Sequence, residues 1–222
     1  MLLVREMPDS RQPGSKGIEN RAEVLTTFMI ELREQCAQAL TAFAELRGLI
    51  GQDPPLDDEG RRFWNRRVWL RIHGVLAAGT AVSNILWPNP ANSQGGKVAN
   101  RALGRATALR VALSIEGSPP RAAIRARNAF AHVDERLDEW LEGSPRELPM
   151  GWVISSLDEF DEPSWGRNAF RYYHANRREL RIGRESCSLT ELVSWIESID
   201  DHLPHEATMV FKRYDGGGPP EL

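Results

Sequence analysis

Six of the fourteen prolines of this chain stand at Pro54-Pro55, at Pro88 and Pro90, and at Pro119-Pro120, and none of the fourteen interrupts the long runs from Gly14 to Asp53 and from Leu56 to Trp87. Proline lacks a backbone donor and clashes with the preceding helical turn. Runs of this length without it are free to be helices, and the spacing of their apolar residues says whether they are. In the first run Leu25, Phe28, Leu32, Cys36, Phe43 and Ile50 recur at helical intervals. They predict a helix over 19–50, ended by Gly51-Gln52-Asp53-Pro54-Pro55. The second run predicts a helix over 58–87. Its first half is Arg-rich, with Phe63, Trp64, Trp69 and Ile72; its second half is small and apolar, with Gly74, Ala77, Ala78, Gly79 and Ala81. Side chains this small let a neighbouring helix come close, so the second half is expected to be buried.

Two more helices are predicted, over 97–114 and over 120–142. The latter has Pro120 at its start and Gly143 just after its end, the usual asymmetry of helix termini. After Gly143 the pattern changes. Gly151-Trp152-Val153-Ile154 predicts a short strand, and 170–174 and 179–182 predict two strands joined by Ala175-Asn176-Arg177-Arg178. Ser188-Leu189-Thr190-Glu191 is a capping box opening a last amphipathic helix with Leu192, Val193, Ile196, Ile199 and Leu203 on one side. The expected fold is mainly α: a four-helix, up-and-down-type bundle with a small C-terminal β-hairpin plus helix appendage. The expected organisation is a disordered segment over 1–18, the bundle over 19–143, the appendage over 144–210 and a flexible tail over 211–222.

Composition narrows the class. With 41% hydrophobic and 27% charged residues the chain reads as a globular protein. The most apolar stretch, Ile72 to Trp87, is broken by His73, Thr80, Ser83 and Asn84 and is too polar to span a membrane. Met1-Leu2-Leu3-Val4 runs straight into Arg5 and Glu6, with no signal-peptide apolar core. Cys36 and Cys187 alone make neither a disulfide framework nor a zinc cluster, so a reduced, cytoplasmic protein without metal or other cofactor is expected. The net charge of -3 conceals an asymmetry: residues 60–132 hold twelve basic side chains and one acid, Glu116, giving +11 against -14 elsewhere. Arg outnumbers Lys 25 to 3, which reflects a general preference for Arg but not the local lack of acids. Such a field favours phosphate-bearing partners.

Within the basic span, Arg127-Asn128-Ala129-Phe130-Ala131-His132 carries the chemistry. On one continuous helix, Ala123, Ala126, Phe130, Val133, Leu137, Trp140 and Leu141 form an apolar stripe, while Arg121, Arg125, Asn128 and His132 lie nearly opposite, with Arg127 on the flank. A neutral imidazole can take a proton from a ribose 2′-OH, and guanidinium groups can hold the phosphate as charge builds on it. Asn128 is placed to orient the imidazole or a substrate group. Five residues separate Arg127 from His132, so an ideal helix points them about 140° apart. They would then meet on one atom only across a twofold pair of helices. The same residue types also describe an ordinary solvated helix face, and Asp134-Glu135-Arg136-Leu137-Asp138-Glu139 reads as one, laced with ion pairs. His73, His174, His202 and His205 form no constellation, and Trp152, Trp165 and Trp195 read as packing residues.

Arg-Asn-x-x-x-His late in a helical domain resembles the motif of the HEPN superfamily (higher eukaryotes and prokaryotes nucleotide-binding), and 127–140, RNAFAHVDERLDEW, looks like the motif helix of bacterial HEPN-like proteins. The resemblance covers roughly residues 20–142. It implies a metal-independent endoribonuclease acting as a homodimer, often a toxin or defence effector with an antitoxin-type protein partner. Arg127 and His132 would be its catalytic pair, supported by Asn128. The phosphate track along RNA would be supplied by Arg61, Arg66, Arg101, Arg105, Arg121 and Arg125. Other members bind nucleotides, nucleic acid or proteins without catalysis, which keeps a non-catalytic module open.

Overall fold

The computed structural model describes residues 15–89, 96–143, 150–155 and 169–204. Among them are six helices and four strands: α1 (Ser15–Ile50), α2 (Asp58–Leu86), α3 (Gly96–Ala112), α4 (Arg121–Ala131), α5 (Val133–Gly143), β1 (Met150–Ser155), β2 (Ala169–His174), β3 (Glu179–Ile182), β4 (Glu185–Ser188) and α6 (Leu189–Asp200). The fold is mainly helical, as expected. The expected N-terminal segment, up to the start of α1, and the expected tail lie outside the described residues, as do Trp165 and His205.

α1 and α2 form the spine. The fully buried side chains of α1 are Leu32, Cys36, Ala39 and Leu46, with Phe43 nearly so; α2 buries Val68, Ile72, Val75, Val82 and Leu86. With the buried Gly79 between Val75 and Val82, both sets alternate steps of three and four residues, the spacing that keeps one seam against a partner helix. The short connection over 51–57 makes the two helices neighbours, and Asp57 starts α2 by accepting from the Gly60 amide at 2.7 Å. The expected close approach on the second half of α2 is present: a Cβ on Gly79 would stand 3.1 Å from Leu192 and 3.3 Å from Ile196 of α6.

α6 therefore packs on the α1–α2 pair. Arg33 of α1 locks its end by donating to the carbonyls of Leu203 and Pro204 at 2.8 and 3.0 Å. α3 is held more lightly, burying only Ala106 and Leu109 within its length. Its Arg110 reaches the Leu86 carbonyl and lies over the Trp87 ring, sealing the end of α2.

The sheet has the order β1-β2-β3-β4, with β1 parallel to β2 and the other pairs antiparallel. β2 and β3 realise the expected hairpin, with Tyr173 opposite Leu180 and Tyr172 opposite Arg181. β4, which the sequence reading passed over, pairs Cys187 with Leu180 and leads directly into α6. The N-cap half of the expected capping box is present: the Ser188 hydroxyl accepts from the Glu191 amide at 3.2 Å. Tyr173, Leu180, Ile182, Cys187, Leu192 and Ile196 share one continuous core with the residues of α1, α2 and α4. The sheet and last helix thus belong to the same packing unit as the helices before them. Among the described residues no helix is long and apolar enough to cross a membrane.

Candidate functional site

α4 begins directly after Pro120 and turns a narrow face of Ala123, Ala126 and Ala129 into the core. Three alanines leave room for close packing, and α4 lies against α2 on one side and the β3–β4 hairpin on the other. Of the expected apolar stripe, Phe130, Val133, Leu137 and Trp140 pack half-buried against the core. Leu141 does not, being 49% exposed.

The helix expected over 120–142 is not continuous. His132 has φ -110° and ψ 48°, outside the helical region, and ends α4; α5 starts at Val133. The hydrogen-bond ladder still bridges the break: the His132 amide donates to the Asn128 carbonyl at 3.0 Å and the Arg136 amide to the His132 carbonyl at 3.1 Å. The 140° separation assumed an ideal helix through His132, and that premise ends one residue short of it.

His132, Asn128, Arg121 and Arg125 are exposed and Arg127 is half-buried, as the helical phase required. The Arg127 Nη1 donates to Asn128 Oδ1 at 3.3 Å, so the amide faces the guanidinium rather than the imidazole. His132 Nδ1 lies 3.9 Å from Glu135 Oε1, an exposed pair that attracts only when the ring is protonated. Arg136 and Glu139 pair at 2.7 Å, as the charge run suggested.

The six arginines assigned to a phosphate track separate into two groups. Arg66, Arg101 and Arg121 are exposed and make no ion pair or hydrogen bond among the described residues. The other three are committed elsewhere. Arg125 Nε donates to Glu185 at 2.8 Å, tying α4 to β4. Arg61 sits 3.9 Å from Asp58 and donates to the Leu56 carbonyl, so it serves the start of α2. The Arg105 guanidinium carbon lies over the Phe28 ring, 3.9 Å from its centre, and burial lowers the pKa of Arg105, so it is a packing residue between α3 and α1.

One element near the motif escaped the sequence reading. His73 of α2 is exposed, as a boundary residue would be, but its ring stacks on Phe130 at 4.8 Å and 17°. The Arg171 guanidinium of β2 lies 5.1 Å from the centre of the same ring. Phe130 stands two residues before His132, so α2 and the sheet both brace the turn that carries the imidazole. Only tertiary packing brings positions 73, 130 and 171 together, and no sequence interval signals it. Among the described residues no three His, Cys, Asp or Glu side chains are grouped so as to hold a metal ion.

Family models, curated proteins and solved structures give no match to this chain.

The candidate residues comprise an exposed imidazole at a helix break, a guanidinium and amide one turn earlier, and exposed arginines on α2, α3 and α4 that make no ion pair among the described residues.

Proposed function

We propose that the chain is a HEPN-like endoribonuclease that needs no metal ion. The observation that carries this reading is the exposure of His132 at the end of α4, with Arg127 and Asn128 one turn behind it and Arg121 on the same exposed face. In the proposed reaction His132 takes the proton from a ribose 2′-OH. The freed oxygen attacks the adjacent phosphorus, the bond to the 5′-oxygen breaks, and a 2′,3′-cyclic phosphate is left. Arg127 stabilises the charge on the phosphate, and the departing oxygen takes a proton from water or from the imidazolium of a second copy. Single-stranded or looped RNA is the substrate class, because its backbone can bend into line for attack. The same reading takes α1 to α5, with α4 and α5 as one broken helix, as a four-helix bundle and places two motif helices across a homodimer cleft. A toxin or defence role, with an antitoxin-type protein partner, belongs to it as well.

Purified wild type and His132→Ala, incubated with RNA in EDTA, decide the matter. Wild type is expected to leave 2′,3′-cyclic ends, and the variant to be slower by roughly 10²–10⁴-fold. Equal rates, or no cleavage by either, would sink the enzyme. The second reading is a non-catalytic nucleotide- or nucleic-acid-binding module, favoured by the exposed Arg66, Arg101 and Arg121, which make no ion pair among the described residues and do not involve His132. Salt-sensitive binding that His132→Ala leaves intact, without cleavage, is its signature.

A further inference from the structure

Among the described residues, the first half of α2 carries a stripe of exposed side chains. Phe63 is 61% and Leu70 58% exposed, large values for side chains of their kind. Arg66 and His73 are exposed on the same face, because steps of three and four residues return to one side of a helix. Arg67 flanks them, its guanidinium 5.8 Å from the centre of the Phe63 ring. Arg66 and Arg67 make no ion pair among the described residues, and the only acids of α2 are Asp58 and Glu59 in its first turn.

We propose that this stripe is a stacking platform for single-stranded RNA, running along α2 from Phe63 to His73. Charge and shape select the occupant. Guanidinium groups that make no ion pair among the described residues call for a polyanion, and a ring beside them calls for flat apolar faces. A single strand of nucleic acid offers both, whereas a duplex hides its bases. The stripe also has a direction. Phe63 and His73 are ten residues apart, about 15 Å along the helix. At the far end the His73 ring covers Phe130, two residues before His132. A strand stacked on Phe63, with phosphates on Arg66 and Arg67, would pass Leu70 and reach His73 at the end of the stripe. The inference rests on the nuclease reading for the choice of RNA, but not on catalysis.

The test uses the full chain and a labelled single-stranded 2′-O-methyl oligoribonucleotide, which lacks the attacking hydroxyl and so reports binding alone. The same sequence as a duplex is the control. Phe63→Ala is expected to weaken single-strand binding roughly tenfold and duplex binding little, while Phe63→Trp keeps it. Removing Arg66 and Arg67 together should flatten the slope of log affinity against log salt by about 1.4. Three results would overturn the platform. One is unchanged single-strand affinity in Phe63→Ala; another is equal loss for single strand and duplex. The third is a change in self-association without a change in RNA affinity, which would assign the stripe to a second copy of the chain. Cleavage of unmodified RNA reads the other proposal separately. His132-dependent cleavage without a Phe63 effect keeps the nuclease and rejects the platform, and Phe63-dependent binding without cleavage does the reverse.

Discussion

At the scale of single residues, Phe130 links the motif to the rest of the molecule. Its ring is half-buried, stacked on His73 and faced by Arg171. Phe130→Ala is expected to lower the unfolding free energy by about 2 kcal/mol, less than a fully buried Phe because one side already meets water. Phe130→Leu keeps most of the buried area and should cost only about 1 kcal/mol, the part due to ring stacking. Urea unfolding of the two variants measures the difference, and equal losses would mean that packing alone holds the ring. The motif's exposure was legible beforehand, since helical phase alone puts Asn128 and His132 opposite the alanines. The break at His132 was not. No proline or glycine lies there, and the contacts that flank the break, Phe130 with Arg171 and Trp140 with Phe170, are made with the distant sheet. The commitments of Arg105 and Arg125 were equally hidden, because each partner, Phe28 or Glu185, lies about sixty or more residues away.

At the scale of elements, the legible parts are those whose signals are local. The breakers between α1, α2 and α3, the small-residue half of α2 and the Ser188 cap each express a short-range rule, and each stands where it was read. The parallel pairing of β1 with β2 and the added strand β4 depend on partners distant along the chain or on a tight turn. That turn is made by Gly183 at φ 57°, with its amide donating to the Phe170 carbonyl at 2.7 Å. A Cβ there would adopt the left-handed region and stand 3.3 Å from the Phe170 ring. Gly183→Ala is therefore expected to destabilise by roughly 1–2 kcal/mol. Ser188→Ala should cost about 1 kcal/mol through the lost cap on α6. The positions share the β3–β4–α6 connection, and thermal unfolding of the two single variants reads both losses. A Gly183→Ala variant as stable as wild type would show that the turn relaxes into another form.

At the scale of the whole molecule, a single core joins α1 to the sheet and α6, and it encloses two free thiols. Cys36 is fully buried on α1 and Cys187 is 5% exposed on β4. Burial pushes each thiol from an ordinary 9.0 up to about 12, with Asp200 adding to the effect at Cys36 and Glu179 at Cys187. Tyr173 is likewise raised, from 10.0 to about 12, by burial. In each case the folded form holds its proton more tightly than the unfolded chain. Their contribution to stability is complete below the unfolded values. It falls as the pH climbs from 9.0 towards about 12, because only the unfolded chain releases protons in that window. The urea midpoint should therefore drop steadily above about pH 9, with each thiol adding at most roughly 1.4 kcal/mol per pH unit. Cys36→Ala combined with Cys187→Ala should be less stable at neutral pH, from two small cavities, yet lose less on going to alkaline pH. If the double variant shows the same alkaline slope as wild type, the thiols are ionised or solvated in the folded protein. The continuous core that joins the helices to the sheet would then be open to water at both cysteines.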